Sequence, residues 1–211
     1  RVSVQLGPVQ RELYELLRSE AKRRAAGMSA MDRAFLRRLG RHVVRLIEAA
    51  SNPVLLTQGV MLEDDDGQDD ASAEVSVRAF DLIREFAKRE KPAKIAAAVS
   101  LVRKSLAADG KAKVVLWTTF IQNIHTLAGL LKDFEPVVLY GDVGTGDDED
   151  PDTREGRIRQ FHRDDTCRVM VANPAACGEG ISLHMVCHHA IYVDRTFNAA
   201  HYLQSIDRIH R

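Results

Sequence analysis

KVVLW, Lys113 to Trp117, is an unbroken apolar run of strand length, and a helical pattern follows it. A strand with one wet face alternates apolar and polar residues; an unbroken run reads as a strand buried on both faces. Outward along the chain the same unit recurs. Ile121, Ile124, Leu127, Ala128 and Leu131 have helical spacing, and PVVLY (Pro136 to Tyr140) is a second strand. A helix through Arg154, Ile158 and Phe161 follows, and CRVMVA (Cys167 to Ala172) and HAIYVD (His189 to Asp194) are two more buried-type strands. Ahead of them all, Ile95, Ala98, Val99, Val102 and Leu106 form a helix that Gly110 ends. Short apolar strands alternating with helices predict an α/β fold, a parallel sheet with helices on both faces. Ligands of such sheets gather beyond the carboxyl ends of the strands, where Thr118, Asn173 and Asp194 fall.

Before Ala93 the pattern is helical. VSVQL (Val2 to Leu6) alternates as a short strand or an extended opening segment would. Pro8 suits the first position of a helix whose stripe is Leu13, Leu16, Leu17 and Ala21, with Gly27 as its stop. Ser29 and Asp32 resemble a capping box opening a second helix, with Phe35, Leu39, Val43, Leu46 and Ala50 inward. Ser51-Asn52-Pro53 ends it, because the residue before proline avoids the helical region. An amphipathic helix around Val75 to Glu90 closes at Lys91-Pro92. The expected organisation is residues 1–92 as opening segment, helical protrusion and acidic loop, then residues 93–211 as the sheet domain.

With 45% hydrophobic and 28% charged residues, composition is that of a soluble globular chain. No apolar run reaches the length of a membrane span, and no signal peptide opens the sequence. Cys167, Cys177 and Cys187 are odd in number and lack CxxC spacing, so they read as reduced thiols of a cytosolic protein. Thirty basic residues balance thirty acidic ones. The acids concentrate in EDDDGQDD (Glu63 to Asp70) and GDDEDPD (Gly146 to Asp152), which read as solvated loops set away from any nucleic-acid track. The chain opens on Arg1 and closes inside a motif, so a longer parent protein is expected.

Two stretches carry chemistry. ACGEGISL (Ala176 to Leu183) sets glycines around a glutamate after a strand, which serves either a tight turn or a loop whose amides approach an anion. QSIDRIHR (Gln204 to Arg211) puts Gln204, Arg208 and Arg211 on one helical stripe, with Leu203, Ile206 and His210 turned inward beside it. Taken alone, it also fits a surface helix with an ordinary Asp207–Arg211 ion pair. His184, Cys187, His188 and His189 invite a metal reading, but neighbouring strand residues face opposite ways and no metal is expected.

Together these stretches resemble the C-terminal, RecA-like motor lobe of Snf2-type ATPases in helicase superfamily 2. The family's sixth motif, Q-x-x-D-R-x-H-R, is matched by Gln204, Asp207, Arg208, His210 and Arg211. The fifth motif ends G-x-N-L in the family and Gly180-Ile181-Ser182-Leu183 here. KVVLWTTF resembles the fourth motif, Arg154, Ile158 and Phe161 a helix between motifs, and LGPVQRELYELL and NPVLL the lead-in to the lobe. Asn173-Pro174 stands where the family has Ser-Thr, and Cys177 replaces a common glycine. The spelling looks more bacterial than eukaryotic.

The resemblance implies the second lobe of an ATP-dependent double-stranded-DNA translocase, located in the bacterial cytosol or nucleoid. ATP with magnesium would be held mainly by a first lobe outside this chain, which has neither a G-x-x-x-x-G-K-[ST] loop nor a D-E-x-H box. Arg208 and Arg211 would reach the γ-phosphate, with Gln204 coupling nucleotide state to lobe closure. Gly178, Glu179, Gly180, Ser182 and Asp207 would border the nucleotide. Thr118, Thr119, Asn173 and Cys177 would face DNA. Alternatives are the lobe of a strand-separating DNA or RNA helicase, or a non-catalytic binding scaffold.

Overall fold

The computed structural model describes residues 1–26, 33–57, 70–177, 182–195 and 198–210, with the backbone alone at 33–39, 70–73 and 177. The Ser29–Asp32 capping box, Gly27, the side chains of Phe35 and Leu39, and most of the first acidic run lie outside the described residues. The chain divides into two compact units, Arg1–Ala96 and Ala97–Arg211.

The first unit contains α1 (Pro8–Ala26), α2 (Arg33–Ser51), a 3-10 turn (Pro53–Leu55) and α3 (Asp70–Arg89). Val2 to Leu6 joins no strand, so the extended reading is the one realised. Helix α3 begins at Asp70 rather than near Val75, which draws the end of the first acidic run into a helical first turn. Val9 and Leu13 pack with Ala49, Leu56, Ala79, Leu82, Ile83 and Phe86, flanked by Leu16 and Leu17.

Long-range polar contacts bind the helix ends. The Glu90 carboxylate accepts the amides of Val9 at 2.8 Å and Gln10 at 3.2 Å, capping α1 from far along the chain. Gly7 makes room for it, since a Cβ there would lie 2.4 Å from Glu90 Oε2. Gln10 is fully buried; its Nε2 donates to the Ala49 carbonyl at 2.9 Å, and its Oε1 accepts from the Ala93 amide at 3.3 Å. A buried amide side chain needs such partners, and here it closes one helix while opening another.

The second unit continues from α4 (Ala93–Ala108), which buries Ile95, Ala98, Val102 and Leu106. In order follow β1 (Val114–Trp117), α5 (Ile121–Leu130), β2 (Val137–Leu139), α6 (Arg154–Arg163), β3 (Val169–Ala172), β4 (His189–Tyr192) and α7 (Ala199–Asp207). The strands form one parallel sheet in the order β2-β3-β1-β4. Every residue of β1 and β3 is buried, as their unbroken apolar runs require. Strand β4 departs from its buried-type reading. Among the described residues only β1 pairs with it, and His189 is exposed.

Beneath one face, Val115, Trp117, Met170 and Ala172 pack with Phe161, Leu183 and Cys187. Helix α6 is fixed at both ends. Thr153 Oγ1 accepts from the Gly156 amide at 3.1 Å, and buried Lys113 donates from Nζ to the carbonyls of Phe161 and Asp164. Gly156 allows the acidic loop to close on the helix, since a Cβ there would stand 1.9 Å from the Asp150 carbonyl. The loop's acids are exposed, while Thr153 and Glu155 hold its backbone. Burial lifts the Cys167 and Cys187 thiols to about 11, so neither is a ready nucleophile at neutral pH.

The buried Glu20 carboxylate accepts from Arg23 Nε at 2.8 Å and Arg24 Nε at 2.5 Å. The Arg23 hydrogen bond, opposed by burial and aided by Arg24, lowers its pKa to about 2. An unfolded glutamate titrates near 4.3, so this depressed value stabilises the fold in full above that pH. The contribution is lost as pH falls through about 2. Urea unfolding of the helical unit should weaken on passing from pH 6 to pH 2, and Glu20→Gln should be less stable at pH 6 with a shallower acid dependence. An unchanged acid dependence in the variant would remove the role given to this cluster.

Candidate functional site

The register puts Trp117 opposite Ala172 on one side and Tyr192 on the other, so the residues that follow emerge together. From β1 the chain crosses to β2 on the far side of β3, whereas from β3 it crosses in the opposite direction to β4. The loops leaving β1 and β3 therefore part at a topological switch point, where open α/β sheets form crevices. Thr118, Thr119 and Asn173 begin those loops.

A buried carboxylate organises them. Asp194 is 5% exposed and Thr118 fully buried. Asp194 Oδ2 accepts from Thr118 Oγ1 at 2.6 Å, and Oδ1 accepts from the Thr119 amide at 2.7 Å and Thr119 Oγ1 at 2.6 Å. Backbone bonds continue the sheet past its last paired residues, from Thr118 N to the Ala172 carbonyl and from Val193 N to the Trp117 carbonyl. Asn173 joins the group through Nδ2, which donates to the Thr119 carbonyl at 3.2 Å. Its Oδ1 accepts from Ala175 N at 2.9 Å, opening the 3-10 turn Pro174–Cys177.

This arrangement fixes what both threonines present to the crevice. Their hydroxyl hydrogens and the Thr119 amide already point at Asp194, and phosphate oxygens only accept. Through these bonds Thr118 and Thr119 hold the loop in shape. Asn173 retains one amide hydrogen. Cys177 closes the turn with its backbone, and Gly178, Glu179 and Gly180 lie outside the described residues.

A second group forms around α7. The Asn198 side chain caps its amino end through the amides of Ala200 and His201. Tyr202, Ser205, Ile206 and Ile209 are its shielded positions, while Leu203 is 59% exposed and His210 is exposed. That corrects the inward stripe of Leu203, Ile206 and His210, of which only Ile206 is shielded. The helix ends at Asp207 rather than running through the motif, with Arg208 as its C-cap. The amides of Ile209 and His210 both return to the Ile206 carbonyl at 3.1 Å. Gln204 and Asp207 are exposed, Arg208 is half-buried, and Arg211 lies outside the described residues.

Backbone contact joins the glycine-rich stretch to this helix end, for Leu183 N donates to the Arg208 carbonyl at 2.8 Å. Ser182 Oγ lies 2.7 Å from His184 Nδ1. Burial pushes the neighbouring His162 below the ordinary histidine range, opposed by a hydrogen bond to the Ser182 backbone. The sheet reaches α7 through Tyr192, whose hydroxyl lies 2.7 Å from Ser205 Oγ and is held protonated by burial. Sequence reasoning gave Tyr192, Ser205 and Arg195 no role. Their only mark was two tyrosines and an arginine flanking the motif.

A family model described as the helicase conserved C-terminal domain matches residues 93–211. The C-terminal part of the Fun30 ATPase domain superposes with a TM-score of 0.63 at 21% identity, covering all of this chain and 79% of that one. The Pyrococcus furiosus Hef helicase domain gives 0.59 at 14% identity, over all of this chain and 52% of that one. No curated protein sequence matches. The superpositions establish a RecA-like α/β fold.

Truncating Asp194 to Ala strands three donors, two of them hydroxyls that can turn elsewhere. The expected loss is about 2 kcal/mol of unfolding free energy for the sheet unit, against about 1 for Thr119→Ala. The double variant should lose less than the sum, since both changes break the same bonds. Additive losses in denaturant titrations would show that the carboxylate does not organise this turn.

Proposed function

Because this chain belongs to the helicase conserved C-terminal domain family, we propose that it is the second motor lobe of an ATP-driven double-stranded-DNA translocase of Snf2 type. The observation that carries the reading is the bond between Leu183 N and the Arg208 carbonyl, which ties the last residue of ACGEGISL to the QSIDRIHR helix end. Two segments that border one nucleotide have to meet in this way.

The residues present suit phosphate. A helix carboxyl end presents carbonyls and partial negative charge, so an anion there needs strong donors. Arg208 and Arg211 supply planar guanidinium forks that stay charged and fit phosphate oxygens in pairs. Exposed Gln204 stands one turn before Arg208. Glycines 178 and 180 and Ser182 would border the nucleotide, with Glu179 and Asp207 turned towards its magnesium or towards the arginines. ATP with magnesium, held mainly by a first lobe, would supply the phosphoryl group whose charge the arginines stabilise.

On the other side, the turn fixed by Asp194, Asn173 and the backbone near Cys177 would follow the DNA backbone. Backbone contacts position a duplex without reading its sequence, which suits a motor. Among the described residues no helix is long and apolar enough to cross a membrane, and the work proposed here belongs in the bacterial cytosol or nucleoid. The likeness to the Hef helicase domain favours one further reading, a strand-separating helicase of the same superfamily. Strand displacement assays on forked duplexes separate the two.

In the two-lobed protein, Arg208→Ala and Arg211→Ala should each lower kcat by roughly 10³-fold while ATP affinity changes little. Lysine should rescue poorly, since a point charge lacks the fork. Asp207→Ala is the control. If all three variants keep kcat and lose only a few tenths of a kcal/mol of stability, QSIDRIHR is a surface helix with an ordinary ion pair. The chain without a first lobe should not hydrolyse ATP, and turnover by the purified chain would contradict the two-lobe reading.

A further inference from the structure

Once the bonds at the strand ends are assigned, few side-chain donors remain there for a phosphate diester. Both threonine hydroxyls point at Asp194, and Asn173 keeps one amide hydrogen. The residue after Asp194 supplies what is missing. Arg195 is exposed, and its guanidinium carbon lies 4.4 Å from the ring centroid of Tyr202 and 5.6 Å from that of Tyr192. It makes no hydrogen bond or ion pair with any described residue.

The platform beneath it is fixed. Tyr192 and Tyr202 meet edge to face at 5.1 Å, and Tyr192 is stacked with Trp117 at 6.4 Å. The Tyr192 hydroxyl is tied to Ser205. A surface arginine free in solvent gives up about 2 kcal/mol of rotamer freedom when it is ordered. Cation–π contact with the two rings supplies part of that order beforehand without using a hydrogen-bond acceptor. The result is a pre-ordered guanidinium without an acceptor among the described residues.

We propose that Arg195 is a phosphate-binding residue for the nucleic-acid backbone, held ready by Tyr192 and Tyr202. The inference rests on the reading of the strand ends as the nucleic-acid face. Arg195 precedes α7 and Arg208 caps its other end, across nine residues or about 13 Å of helix. The two arginines therefore serve different phosphates, and the one beside Asp194 belongs to the backbone.

The test uses the two-lobed protein and two labelled duplexes of unrelated sequence, titrated between about 50 and 200 mM salt. Arg195→Gln should weaken both duplexes several-fold and reduce the slope of log affinity against log salt by about one. Arg195→Lys, which keeps the charge, should preserve the slope, and ATP affinity should be unchanged in both variants. An unchanged slope in Arg195→Gln overturns the proposal. If ATP affinity falls instead, the phosphate is the nucleotide's; if both variants only lower Tm, Arg195 is a clamp for α7. Either result also overturns it. A wild-type protein without salt-dependent duplex binding removes the nucleic-acid reading itself, which is a separate failure.

Discussion

The Asp194 carboxylate is the interaction on which the functional end of the sheet depends. A buried carboxylate without partners costs several kcal/mol, and hydrogen bonds to the charged form are what allow it to remain there. The consecutive residues Thr118 and Thr119 give Asp194 three such bonds. The first turn after β1 is thereby locked to the segment after β4. Through Asn173, which bonds the Thr119 carbonyl, the turn after β3 is locked as well. Three loops leaving three strands become one bonded rim, and two of those strands, β1 and β3, are buried along their whole length.

From that rim a short physical route leads to α7. Tyr192, two residues before Asp194, bonds Ser205, and Ser205 also donates to the Tyr202 carbonyl at 2.7 Å. At its far end α7 accepts Leu183 through the Arg208 carbonyl. A displacement of the rim is therefore carried by strand β4 into a nine-residue helix whose C-cap is an arginine. Packed interiors transmit displacement because they have little free volume. In the motor reading this makes β4 and α7 the lever between backbone phosphates and the γ-phosphate, within a single lobe.

Much of the fold was legible because its causes are local. Unbroken apolar runs at Val114 to Trp117 and Val169 to Ala172 can only be strands covered on both faces, and the structure covers them. Strand β4 misled because HAIYVD has the same apolar character, yet among the described residues it pairs on one side only, which its sequence does not mark. The stripe through Leu203 and His210 misled for a related reason. Helical spacing gives the faces of α7, but Tyr192 and the sheet decide which face is shielded, and they select Tyr202 and Ser205. The Glu90 cap on α1 and the Gln10 bonds join residues some eighty positions apart, beyond any periodicity. Thr118 and Thr119 stood out by their position after β1, yet the direction of their hydroxyls was not legible, since it depends on an acid more than seventy residues away.

That last difference changes how the rim can meet a ligand. A hydroxyl beside a phosphate is an adaptable contact, whereas a hydroxyl already held by a carboxylate is part of a wall. A rim of the second kind keeps its shape, but the field of the carboxylate behind its donors opposes an anion. Phosphate can approach such a rim only if positive charge nearby outweighs that field, which at a few ångströms and an effective dielectric near 20 amounts to several kcal/mol. Helix and turn amides contribute fractions of a charge; a guanidinium contributes a whole one. The sequence sets Arg195 directly after Asp194, and the fold lays it on two tyrosines instead of letting it pair with the acid beside it. Had it paired, the two charges would have cancelled and the rim would have been neutral. Held apart, the acid shapes the rim from within while the arginine makes its outer surface attractive to phosphate.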